Sequence, residues 1–189
     1  MLRYIDEFKR HVAITGYKGV EISNIEEFFR VVHREKSPIV DIQFFDAALI
    51  ATWQHLYFAA LNALTAFENN ENFSNSLAME TLLYASAQHQ IKDAVKLLGI
   101  SPNSCEIAVL IIGGDGESVN SALKTVSKLV AAESDDSVLN LKASKGKTVK
   151  EIFGISDTEI KTVTKNAGLE EESLVNLVIE RMALLATQR

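Results

Sequence analysis

Four hydrogen-bonding side chains stand within five residues at Ser86-Ala87-Gln88-His89-Gln90, where one helical pattern gives way to the next. A packed core has little use for such a cluster, so it is either a solvated turn or a site that holds something. Periodicity alone favours the turn. Ser86 and His89 could act as nucleophile and base, but no third orienting group is visible and no elbow glycines flank the serine. Gly146-Lys147-Thr148 matches the end of a nucleotide-binding loop, yet Leu141 stands where its first glycine belongs. Without that glycine the backbone amides cannot wrap a phosphate. Gly113-Gly114-Asp115-Gly116 carries acids that repel phosphate, with Val119 where a third small residue is needed, and reads as a tight turn. The histidines His11, His33, His55 and His89 lack the spacing of a zinc site. No catalytic residue, metal site or cofactor is assigned. The alternative is a small-molecule hydrolase or nucleotide-binding protein using Ser86 and His89 or Lys147.

The elements that position these residues follow from apolar spacing. His11 to Tyr17 and Ile39 to Phe45 read as strands, with an Asn24-capped helix carrying Ile25, Phe28, Phe29 and Val32 between them. Ala47 to Phe67 reads as one long helix buried on most sides, with His55 as a hydrogen-bonded core or interface residue. Ser76 caps the next helix, with Glu80 near its positive end. Gln90 to Leu98 should bury Ile91, Ala94, Val95 and Leu98, ending at a left-handed Gly99. Glu106 to Ile112 reads as a central strand, and Val119 to Val130 as an amphipathic helix. Ser137 to Leu141 reads as a short strand. Ser156 and Glu159 form a capping box for a helix ending at Gly168, and the last helix starts near Glu170 with Leu174, Leu177, Val178, Arg181, Leu184 and Leu185 on one stripe. The expected architecture is α/β (α+β): a single domain over residues 1–189, with a small mixed sheet packed by several helices.

The 189 residues, 47% of them hydrophobic, suit such a core. Cys105 reads as a small core residue, and one cysteine fits a reducing cytoplasm. Met1 to Arg10 is charged and lacks an apolar run, so no secretory signal is expected. Ala47 to Phe67 carries Gln54, His55 and Asn62 in its middle, which argues against membrane insertion. A net charge of −6 disfavours broad attraction to nucleic acid. Its distribution is uneven: residues 142–165 hold six lysines against three acids, so the rest of the chain carries −9. Any phosphate contact must therefore be local.

Glu80-x-Leu82-Leu83-x-Ala85-Ser86-x-Gln88-x-Gln90-Ile91, followed by Ala94 and Gly99, resembles the signature of the smallest globular subunit of the KEOPS (EKC) complex, the family that includes the human PRPK-binding protein. The likeness, to an archaeal-type member, extends from about Asp46 to the C-terminus through Asp135 to Leu139 and Glu151-Ile152-Phe153. Ala87 and His89 depart from it, since the family often has glycine and arginine there. The resemblance implies a non-catalytic cytoplasmic subunit of the tRNA threonylcarbamoyladenosine machinery. Such a subunit binds the complex's small atypical protein kinase, and the other KEOPS subunits indirectly, and helps recruit tRNA through its 3′ CCA end. Ser86, Gln88, His89 and Gln90, with Lys142, Lys145 and Lys147, are the candidate nucleic-acid contacts. A single-stranded end needs stacking and base-edge hydrogen bonds more than a dense positive field. Met79, Leu83 and Tyr84 are the candidate kinase contacts, because Ser37 to Ile91 holds only Lys and Arg-free, largely apolar sequence.

Overall fold

Alternating apolar residues in the strands feed two cores, one on each face of a central sheet. The structure, a computed structural model, describes every residue except Lys165, Ala167, Gln188 and Arg189, together with all side chains but that of Ala143 among the rest. Lys165, counted above in the basic segment, lies outside the described residues. Strands β1 (Leu2–Ile5), β2 (Arg10–Lys18), β3 (Val40–Asp46) and β4 (Glu106–Gly113) lie in the order β1-β2-β4-β3. The short β5 (Glu133–Ser134) pairs with β2 at Tyr17 and Lys18, beyond the reach of β1.

Every recorded pairing is antiparallel, so the mixed α/β domain holds an antiparallel sheet rather than a mixed one. Helix α1 (Ile25–Glu35) carries the chain from β2 to β3, and β4 inserts between them, running against both. Because successive side chains point to opposite faces, Ala108, Leu110 and Ile112 of β4 join the larger core while Ile107, Val109 and Ile111 join the other. That accounts for the unbroken apolar run. The larger core is closed by α2 (Trp53–Glu68), α3 (Leu77–Ser86), α4 (Ile91–Leu98) and the end of α8 (Glu170–Leu185). The opposite face is covered by α1 and α5 (Gly116–Val130). A third cluster joins α6 (Ala143–Phe153), α7 (Asp157–Val163) and α8 through Val149, Phe153, Ile160, Leu174 and Val178.

Several sequence expectations give way to local hydrogen bonding. The segment from Ala47 is not one helix: a 3-10 turn, Ala47–Leu49, is capped by the Asp46 carboxylate accepting from the Ala48 amide, and α2 starts only at Trp53. Ser137 to Leu141 is not a strand either, since Asp135 accepts from the Ser137 amide and turns Asp136–Leu139 into a 3-10 turn. Gly99 has φ −69°, so handedness does not require it; a Cβ there would sit 2.5 Å from the Val95 carbonyl oxygen. Gly168 is left-handed at φ +89°, but α7 has already ended at Val163, where the Thr164 hydroxyl donates to Ile160 O. Cys105 is exposed rather than core, because it precedes the strand at the sheet's end. Leu184, placed on the buried stripe of α8, is exposed. Neither β1 nor α6 was legible: β1 is four residues long, and the large apolar residues of α6 are limited to Val149, Ile152 and Phe153.

Candidate functional site

The polar corner is held by α3. Ser76 caps this helix by accepting from the Met79 amide, and the fully buried Glu80 reaches back across the preceding loop. Its two carboxylate oxygens accept from the amides of Phe73 (3.1 Å) and Ser74 (2.7 Å), fixing the loop against the helix. At the other end Ala87 takes a left-handed conformation (φ 51°, ψ 37°), with its amide donating to Tyr84 O and the Gln88 amide to Leu83 O. This double closure reverses the chain so that α4 can start at Ile91.

The corner side chains do not act together. Ser86 is buried, and its hydroxyl donates to Leu82 O at 2.8 Å and Leu83 O at 3.1 Å, so it faces its own helix and not a ligand. That removes Ser86 as a nucleic-acid contact in this conformation, and with it the Ser86–His89 hydrolase arrangement. Gln88 is half-buried, with its amide nitrogen 3.4 Å from Ser86 O. The His89 ring packs edge-on against Phe73 at 5.1 Å, and Gln90 is the exposed N-cap of α4. Ile91 and Val95, expected inside, are each 45% exposed on α4, beside exposed Lys92 and Lys96. Only Ala94 and Leu98 of this helix are buried.

A cavity of about 210 Å³ lies beside Ser86, Ala87 and Gln88 and is closed by Ile152 and Phe153 of α6 and by Arg181 of α8. Arg181 donates to Glu159 Oε1 at 2.6 Å. The other oxygen of Glu159 completes the capping box by accepting from the amide and hydroxyl of Ser156. These hydrogen bonds, the Ser156 amide's first, hold the Glu159 carboxyl below the usual carboxylate range. Arg181 is thus a fixed cation at the corner. Its place on an apolar stripe gave the only sequence signal.

The lysines are not gathered at the corner. Lys142 and Lys145 line a different cavity with Ala48, Glu106, Asn140 and Thr148. Lys145 donates to Val138 O at 2.8 Å, and burial pushes its ammonium down to about 8. Lys147 is exposed and borders a shallow depression with Lys150 and Glu151. The corner cavity touches only the far end of α6, and from Lys147 and Lys145 to Ile152 the helix rises about 8 and 11 Å. Gly146, Lys147 and Thr148 lie inside α6, so no phosphate-wrapping loop exists there. Of the expected kinase contacts, Met79 is half-buried, whereas Leu83 and Tyr84 are each 1% exposed and belong to the core. Those two are packed inside the larger core.

His55 lies beneath the corner and is fully buried. Its Nδ1 accepts from the Ala51 amide at 3.2 Å, so Nε2 carries the proton and donates to Ala85 O at 2.8 Å. Burial pushes its pKa down to about 4. Among the described residues no group of three or more His, Cys, Asp or Glu is placed to hold a metal ion, and no helix is long and apolar enough to cross a membrane.

Comparison with known proteins supplies what geometry alone does not. The family described as "Kinase binding protein CGI-121" matches residues 18–186. A regulatory protein Cgi121 of Methanocaldococcus jannaschii is 30% identical over 142 residues, which cover 75% of this chain and 83% of that protein. The family match takes in β3, β4, the polar corner and the C-terminal helices, so this chain belongs to the CGI-121 family of kinase-binding proteins.

Proposed function

We propose that this chain is a non-catalytic, cytoplasmic subunit of a KEOPS-type complex. It binds the small atypical kinase of that complex and helps recruit tRNA through the single-stranded 3′ CCA end. The family match over residues 18–186 carries the reading. What the corner adds is chemical suitability. Gln88 and Gln90 offer hydrogen-bonding amides, His89 and Phe73 offer aromatic rings, and Arg181, paired with Glu159, offers guanidinium donors nearby. A base needs a stacking partner and a polar edge, and both kinds of group are present. Lys142 and Lys147, exposed farther along α6, suit phosphates upstream of the terminal nucleotides.

The test has two arms. The purified chain is titrated with the small kinase of the same organism, which should give a saturable complex. It is also titrated with intact tRNA and with tRNA lacking the CCA. Trimming should weaken binding about tenfold or more, and His89→Ala should weaken the intact complex by a few-fold. With few phosphates contacted, the salt dependence should be shallow. Equal affinity for trimmed and intact tRNA would leave a kinase adaptor without a role at the tRNA end.

A further inference from the structure

A second cleft shares no lining residue with the polar corner. It encloses about 580 Å³ between α2 and α8. Trp53 and Phe58 of α2, Leu141, and Val175 and Ile179 of α8 give it an apolar wall. Glu171 and Glu172, in the first turn of α8, give it an acidic rim, and no lysine or arginine is among its described lining residues. Glu172, Val175, Asn176 and Ile179 follow the three-to-four spacing of one helical face. The opposite face of α8, with Leu174, Leu177 and Val178, packs into the third core. The α8 wall is therefore anchored from behind.

Two further details mark the cleft as an interaction surface. Phe58 stays 38% exposed, and Trp53 is held in place by the Arg3 guanidinium, 4.8 Å above its ring, and by Tyr57. A large aromatic already fixed in position loses little side-chain freedom when a partner covers it. Thr52 stands at the N-cap of α2 without making a cap bond, and its buried hydroxyl, which lines the cleft, has no hydrogen-bond partner. A buried hydroxyl left unpaired is costly, so it is suited to a polar group arriving with an occupant.

Resting on the kinase-binding reading, we infer that this cleft seats an amphipathic helix of the kinase, with an apolar ridge flanked by lysine or arginine. No strand edge lines the cleft, so an occupant must satisfy its own backbone hydrogen bonds, as a helix does. The acidic rim selects the flanking charge.

The experiment is calorimetric titration of the whole chain and its variants with the small kinase of the same organism, at two salt concentrations. Phe58→Asp should raise Kd at least about tenfold, as loss of an interface aromatic does. Glu171→Gln together with Glu172→Gln should raise it about fivefold and flatten the salt dependence. Circular dichroism checks each fold; if Phe58→Asp unfolds, the exposed glutamate pair decides alone. Kinase binding by the wild type that stays within twofold in the variants overturns the cleft assignment and leaves the kinase reading intact. No binding by the wild type overturns both.

Discussion

His55 shares its ring among three segments: the Ala51 amide donates to it, it donates to Ala85 O at the end of α3, and Phe153 of α6 packs edge-on against it at 5.4 Å. Protonating Nδ1 would remove the first of these bonds and bury a charge with Lys145 nearby. Its folded pKa of about 4 lies below the usual value of 6.5, so the unfolded chain binds the proton first as pH falls. This contribution to stability is therefore complete above pH 6.5 and is lost between about 6.5 and 4, by an amount on the order of 3 kcal/mol. Urea denaturation at pH 7.5 and pH 5 should show the loss, and His55→Gln should reduce the difference between the two. An unchanged pH dependence in that variant would assign the effect to other groups.

At the scale of the element, α3 depends on a carboxylate that touches nothing beyond its own neighbourhood. Glu80 holds the Phe73 and Ser74 amides, and Phe73 in turn meets both Tyr84 and His89. The polar corner is thereby tied to a loop seven residues upstream of Glu80 as well as to the helix end. Glu80→Ala should cost about 2–3 kcal/mol, because two amides lose their acceptor in a buried site. Amide exchange at Phe73 and Ser74 should speed up well before global unfolding does. Exchange that accelerates only with global unfolding would show that the loop is held by other contacts.

For the whole molecule, the decisive distinction is between apolar residues that fill the cores and those left facing outward. Leu83 joins the cluster shared by the sheet, α2, α3 and α4, whereas Phe58 and Ile91 reach the surface. Leu83→Glu should unfold the protein or lower its stability by about 4 kcal/mol or more, since a charge without a partner would enter the core. Phe58→Asp should lower the thermal transition far less, since Phe58 is partly exposed. Comparing the two by circular dichroism separates loss of fold from loss of docking. A folded Leu83→Glu protein would place that residue at the surface.

Much of the architecture was determined by the chain's own local chemistry. The strands around Ile14, Phe44 and Val109, the caps at Asn24, Ser76 and Ser156, and the buried histidine all follow from side-chain periodicity and short-range hydrogen bonds. The family signature from Glu80 to Gly99 was legible for the same reason, as a helix, a tight corner and a second helix. Which face of α4 meets the core was not, because Ile91 and Ala94 have equal claims until the neighbouring helices are in place. Nor could spacing separate the lysines from the corner or bring Arg181 to it, since 92 residues of chain lie between Gln88 and Arg181. Ser86 met its hydrogen-bond need inside its own turn, so only the folded geometry withdrew it from the surface. The cleft between α2 and α8 is likewise a tertiary product: its two walls are more than a hundred residues apart, and only packing sets them face to face.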